Sequence, residues 1–288
     1  MSLPSIITDS AVQFPQPTFA GRNLVKVVPL DVRINATIYP GGEGLKPAFL
    51  PPTLPQGQTV ALLSPEPEEY YRLFVETCQT SHEVLAIFSS SSLLPVYAKA
   101  QQAATTLDGR LPISLIDSQT IGVGLGLLVE TAAVALAGGV SLAETDRLVR
   151  SMIPHIYTVI ASPGLSYLHQ AGFLDFAQAW VGESLGMLPI FTLEEGRLTP
   201  MEKVRSHRQI TEFFQEFMDE YERLSHIALV QGGSGSAQET RLLREHAQDC
   251  FPSAHFSEHN LNQTLSVLFG PKTSSMVLIE STRSHARL

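Results

Sequence analysis

The sequence predicts an α/β fold in two domains, and three observations predict it. Short apolar runs rich in β-branched residues alternate with segments of helical period, the rhythm of strand–helix–strand units. The 288 residues are about twice the common domain size. Hydrophobic residues make up 44% of the chain and charged residues 16%, enough apolar side chain for packed cores without disulfide staples.

The first strand is expected at residues 5–8, and others at 25–30, 84–88 and 113–116. Each is a short, nearly continuous apolar run, which reads as a buried parallel strand. Between 40 and 67, proline and glycine concentrate and helical period is almost absent, predicting a long surface connection. A helix over 68–80 sets Tyr70, Tyr71, Phe74, Val75 and Cys78 on one face, behind Pro65 and Pro67 as a start signal. Residues 121–140 are apolar and about long enough to span a bilayer. They contain Glu130, Thr131 and five glycines within an otherwise strand–helix pattern, so a buried helix is expected and no integral membrane segment.

Ser141 with Glu144 three residues later forms a capping box. It opens a helix that turns Leu142, Leu148, Val149 and Met152 inward and that Pro154 ends. The first domain is expected at residues 1–156 and the second at 157–288. In the second, a helix over 211–224 buries Phe213, Phe214, Phe217, Met218 and Tyr221. A strand at 226–230, a helix at 237–248 and a last strand at 276–279 complete an α/β layer.

The 28 Asp and Glu against 19 Lys and Arg give a formal net charge of −9, with the basic residues scattered. Nucleic acid is excluded as a partner, because neutralising its backbone needs clustered cations. The two cysteines, Cys78 and Cys250, form no CxxC, and the nine histidines form no HExxH or HxH and place no pair on one helix face beside a carboxylate. No metal site and no cofactor are expected, and reduced thiols fit a cytoplasmic protein. Residues 1–10 lack a basic region followed by an apolar run, so no secretory signal is expected.

Gln231-Gly232-Gly233-Ser234-Gly235-Ser236 could cradle a phosphate at a helix start. It lacks the lysine of a P-loop and the spacing of a dinucleotide fingerprint, so a plain strand-to-helix turn is expected. Ser89, Ser90, Ser91 and Ser92 follow the 84–88 strand, where parallel sheets present ligand-binding groups. They either grip a carboxylate or phosphate or cap the helix running through Tyr97 and Ala100, and both readings stay open. Thr8-Asp9-Ser10 and Asp117-Ser118 end two other strands at the same sheet edge. With no histidine nearby and no Gly-flanked elbow, capping and turn hydrogen bonds are their expected role. Lys203 and Arg205, beyond the turn Glu194-Glu195-Gly196-Arg197, offer an anion a fixed guanidinium or form a solvated pair.

Taken in order, these segments resemble the DegV family of fatty-acid-binding proteins over nearly the entire chain. Ile6-Ile7-Thr8-Asp9-Ser10 is similar to the family's opening strand and TDS turn, and Val27-Val28-Pro29-Leu30 to its second strand. Leu115-Ile116-Asp117-Ser118, then Gly122, Gly124-Leu125-Gly126-Leu127-Leu128 and Ala132-Ala133, match its DS…S.G.GLL..AA helix. Pro189-Ile190, Glu195-Gly196 and Lys203-Val204-Arg205 resemble its KPI…DG…KVR stretch. The resemblance implies a three-layer α/β/α N-terminal domain with a parallel sheet and a two-layer α/β C-terminal domain with a mixed sheet. It also implies a bacterial, non-catalytic carrier. A fatty acid lies buried in the first domain with its carboxylate near the domain junction, and a separate fatty-acid kinase partner does the phosphorylation.

Against that family pattern the head-group positions have turned apolar. The threonine of the TSQPSP motif falls on Leu62 and the serine of SS.LSGTY..A on Leu94, while Ser90 and Ser91 match. The arginine of LK.GGRI falls on Phe173 and the histidine of HTGPG on Leu268, so Arg205 and the backbone around Ser90 and Ser91 are the polar groups left. An ionised carboxylate buried without donors costs several kcal/mol, and each lost charge-assisted hydrogen bond about 1.5–3 kcal/mol. Three readings compete: a lipid with a neutral or different head group, a fatty acid held by Arg205 and main-chain amides, and a ligand-free interaction protein. A hydrolase using Ser90 or Ser91 with Asp9 or Asp117 is the enzymatic alternative.

Overall fold

The computed structural model describes residues 3–107, 109–233 and 237–281. Its strands are β1 Ser5–Asp9, β2 Val25–Val28, β3 Asp31–Ile34, β4 Thr37–Tyr39, β5 Val60–Leu63, β6 Val84–Phe88, β7 Ile113–Asp117, β8 Ile156–Ala161, β9 Leu188–Glu194, β10 Arg197–Val204, β11 Leu224–Gln231, β12 His255–Asn260 and β13 Ser274–Glu280. Its α-helices are α1 Pro67–Ser81, α2 Val96–Thr106, α3 Val123–Ala137, α4 Leu142–Met152, α5 Leu165–Gln170, α6 Phe176–Ser184, α7 His207–Asp219, α8 Ala237–Cys250 and α9 Gln263–Phe269.

Contacts divide the chain into two compact units. The first comprises Met1–Asp31, Leu63–Pro154 and the turn Glu195–Arg197; the second comprises Val32–Leu62, His155–Glu194 and Leu198–Leu288. The expected single cut between 156 and 157 therefore meets a more interleaved division, in which residues 32–62 group with the C-terminal half.

The first unit is built on a parallel sheet of order β2-β1-β6-β7. All five residues of β6 are buried, which explains its unbroken apolar sequence. Helices α1 and α2 pack on each other, as do α3 and α4, and both pairs contact the sheet, giving the expected three layers. On α1 the buried residues are Tyr70, Phe74, Thr77 and Ser81, while Tyr71 is exposed. The inward face is thus rotated from the expected one, because Thr77 turns in, its hydroxyl satisfied by the Leu73 carbonyl at 2.7 Å. The capping box of α4 forms as expected, though it is Thr145, Val149 and Met152 that are buried, with Leu142 and Leu148 only half-buried.

The long apolar stretch is α3, which is buried on nearly every side. Among the described residues, no helix is long and apolar enough to cross a membrane. Gly126 is required on α3 by a close approach: a Cβ there would sit 2.1 Å from the Gln13 carbonyl oxygen.

The second unit carries a mixed sheet of order β10-β9-β8-β13-β11-β12, in which β11 runs parallel to β12 and antiparallel to β13. Helices α7 and α8 close its core, with Ile210, Phe214, Phe217 and Met218 meeting Leu243, Ala247 and the strand residues Ile227, Leu229, Met276 and Leu278. Helix α7 ends at Asp219, before the expected 224, because Leu224 is buried as the first residue of β11. Phe213 and Tyr221 are partly buried against this core.

Residues 40–67 hold more order than a surface connection. They contribute β5, which pairs into a three-stranded sheet of order β4-β3-β5. That sheet has its own core, in which Val32, Leu50 and Val60 pack with Tyr167 of α5 and Val267 of α9. The proline-rich spacing concealed it, since each strand is too short to show an alternating pattern.

Candidate functional site

In the first unit the chain steps from β1 out to β2 and back across to β6, so the carboxyl ends of β1 and β6 flank the point where strand order reverses. Open α/β sheets bind ligands at that point. Here most of the polar groups at this edge bond to one another, although the buried Thr8 hydroxyl has no hydrogen-bond partner among the described residues. Asp9 is fully buried, and its Oδ2 accepts hydrogen bonds from the Ser89 amide at 2.8 Å and the Ser89 hydroxyl at 2.9 Å. Its Oδ1 accepts from the Ala11 amide at 2.9 Å. Burial raises the Asp9 carboxyl above the ordinary carboxylate range, against the opposing pull of these donors.

The two serines singled out by sequence are likewise engaged. The buried Ser90 donates its hydroxyl to the Gly196 carbonyl at 2.6 Å and its amide to the Thr120 carbonyl at 2.8 Å. Gly196 occupies a turn with φ of +79°, where a Cβ would collide with the Ser90 hydroxyl. The exposed Ser91 donates its hydroxyl to Asp117, whose other oxygen accepts from the Ser91 amide at 3.2 Å and the Gln119 amide at 3.1 Å. Asp9 and Asp117 thus organise turns, as expected. The Ser91–Asp117 contact is the serine–carboxylate pairing of the enzymatic alternative, whereas Ser90 bonds a main-chain carbonyl, and among the described residues neither hydroxyl bonds a histidine. Leu94, of the same unit, is buried.

The remaining sequence-derived positions belong to the second unit. Leu62 packs, half-buried, against the small core containing Tyr167 and Val267. Leu268 is buried within α9. Arg205 is exposed just before α7, its amide donating to Gln209 Oε1 at 2.9 Å. Of the run 231–236, residues 234–236 lie outside the described residues.

Phe173 lines an open cleft of about 950 Å³ in this unit. Leu165 of α5, Val181 of α6, Phe191 of β9 and Leu198 and Met201 of β10 form much of its wall, and Glu202 and Lys203 add charges of both signs. The cation at the cleft is therefore Lys203, two residues from the predicted Arg205. Helix α6 comes close to α5 at Gly182, where a Cβ would sit 2.3 Å from Leu165 Cδ1.

Sequence reasoning missed this cleft, which α6 lines with Val181, while Phe176 and Trp180 line a second, smaller pocket. The α6 capping box of Asp175 and Gln178 marks an ordinary helix start, yet Phe176, Trp180 and Val181 are exposed while Ala179 and Gly182 are buried. A helix that turns small residues inward and large apolar ones outward departs from the usual pattern.

Comparison with known proteins places the chain. The family model described as "Uncharacterised protein, DegV family" matches residues 5–281. A DegV domain-containing protein of Caldanaerobacter subterraneus is 28% identical over 214 residues, covering 74% of this chain and 76% of that protein. Among solved structures, a fatty-acid-binding DegV family protein from Thermus thermophilus superposes with a TM-score of 0.79 at 24% identity, covering 97% of this chain and all of its own. The fatty acid kinase (Fak) B3 protein of Streptococcus pneumoniae, loaded with linoleic acid, superposes with a TM-score of 0.81 at 20% identity, covering 98% of this chain and all of its own. With its motifs in order, its parallel four-stranded and mixed six-stranded sheets and a family match spanning both units, this chain belongs to the DegV family.

Proposed function

We propose that this protein binds a long-chain lipid and performs no chemistry on it, the apolar tail lying in the cleft of the second unit. The observation that carries this reading is the cleft itself, whose volume of about 950 Å³ and largely apolar wall suit an acyl-sized chain. The family resemblance puts the chain in the first domain; the cleft argues for the second unit, with Phe173 beside the tail. The Thermus and pneumococcal relatives, named for fatty-acid binding and for a bound linoleic acid, lend the same direction.

The head group is proposed to be neutral. At the cleft, Phe173 offers a carboxylate no donor, and the opposite charges of Glu202 and Lys203 leave the cleft without a net countercharge. A fatty-acid kinase partner, by contrast, acts on a free carboxylate, so a neutral cargo removes the reason for that partnership. A free-acid cargo restores it. We place the protein in the cytoplasm, where Cys78 and Cys250, free in the structure, stay reduced.

Native mass spectrometry and lipid extraction of the purified protein test the reading. A long-chain species co-purifies with the wild type and is lost from the Val181→Asp/Leu198→Asp variant, whose positions are exposed or half-buried and tolerate charge in the folded protein. An empty wild type that takes up no acyl lipid on soaking, or equal occupancy in the variant, overturns it.

A further inference from the structure

Helix α7 ends at Asp219, and α8 carries His246 and Cys250 four residues apart, hence on one face. The two helices are locked together beneath these residues by Phe217, Met218, Leu243, Ala247 and Phe251, all buried in the core of the second unit. The packing fixes the backbone positions of three potential metal ligands. His246 Nε2 lies 2.8 Å from Asp219 Oδ1, and one ligand atom from each of Asp219, His246 and Cys250 falls within 4.8 Å of the other two.

We propose that Asp219, His246 and Cys250 form a surface site for a thiophilic divalent transition metal of the zinc class. Zinc bond lengths of about 2.0 Å to nitrogen and oxygen and about 2.3 Å to sulfur set ligand separations of roughly 3.3–3.5 Å around a tetrahedral ion. Metal entry therefore opens the His246–Asp219 contact by about half an ångström and draws the thiol in by side-chain rotation. A plain His–Asp ion pair accounts for two of the groups but gives no part to the thiol. The thiol decides the metal class, since sulfur and imidazole together select zinc-like ions over magnesium and calcium.

On binding, the Cys250 S–H bond breaks, a sulfur–metal bond forms and the proton passes to solvent, with no change of oxidation state. Three protein ligands leave a fourth position, which faces water because Asp219 and Cys250 are exposed. The site tethers the end of α7 to α8. It uses none of the cleft residues and stands or falls independently of lipid binding.

The test is cobalt and zinc titration of the reduced full-length protein. Cobalt is expected to raise a thiolate charge-transfer band saturating at one ion per chain, zinc to bleach it by displacement, and zinc to protect Cys250 from alkylation while Cys78 stays reactive. Cys250→Ser abolishes the band, and His246→Ala weakens zinc binding by at least about tenfold, the scale of losses even for groups that only support a ligand. Cys78→Ser changes neither. A wild type without a thiolate band, or a Cys250→Ser protein that binds zinc as tightly, overturns the proposal. Alkylation protection in the wild type needs no substitution, so a variant that fails to fold cannot mask the answer.

Discussion

The carboxyl edge of the parallel sheet in the first unit and the cleft of the second are chemical opposites. The edge is crowded with hydroxyls, amides and two carboxylates, and nearly every one is consumed by a neighbour: Asp9 by Ser89 and Ala11, Asp117 by Ser91 and Gln119, Ser90 by Gly196. The cleft has few polar groups but leaves apolar surface uncovered, as at Val181 and Met201. Buried polar groups lower their energy by pairing internally, whereas an apolar surface has no internal partner that removes it from water except more apolar volume. A ligand adds most where the protein has left its own surface unsatisfied, and that is the cleft.

The sharpest way to break this contrast is to unpair the edge. Asp9→Ala strands the Ser89 amide, the Ser89 hydroxyl and the Ala11 amide in a fully buried site, and urea denaturation should show a loss of about 4 kcal/mol. A loss below about 1 kcal/mol would mean the network contributes little and its donors stand ready for a ligand.

Acid should then act in opposite senses on the two units. Burial, with His255 and His259 nearby, pushes His226 of the second unit down to about 4 from its ordinary 6.5. The unfolded chain binds more protons between those values, so stability falls by on the order of 3 kcal/mol as pH drops through that window. His259, also lowered by burial, acts in the same direction. Asp9 of the first unit is raised by burial, so its contribution is complete below the unfolded carboxylate pKa and is lost as pH rises through the folded one. Urea midpoints across pH 4–7 check both signs: His226→Gln should flatten the acid-side loss, and Asp9→Asn should remove the opposing trend.

The smallest effect concerns the head group. Phe173→Arg places a guanidinium in the cleft wall and should raise free-fatty-acid affinity at least about tenfold over a matched methyl ester, or about 1.4 kcal/mol, by calorimetry. An unchanged acid-to-ester ratio would move the head group away from Phe173.

Much of the scaffold was legible because its signals are local. The β6 run from Val84 to Phe88, the Ser141–Glu144 capping box and the glycine-bearing α3 each combine a residue pattern with a start or stop signal a few positions away. The small β4-β3-β5 sheet and the true inward face of α1 were not legible, since short strands lack a measurable period and Thr77 turns inward as a helix-bonded hydroxyl. Of the candidate site, Phe173 was found through its place in a family motif, whereas Leu165, Val181, Phe191 and Leu198 come from four separate elements and share no motif.

The sequence by itself determined the α/β class, the buried parallel strands and the absence of clustered cations, because composition, period and residue identity are properties of neighbouring positions along one chain. Tertiary structure alone decided that Ser90 bonds Gly196 and Ser91 bonds Asp117, that the cleft lies in the second unit, and that Asp219 meets His246 and Cys250. Each of these depends on which distant segments the packing of the core brings within a few ångströms, a choice made by burial of apolar surface over the entire unit rather than by any short pattern.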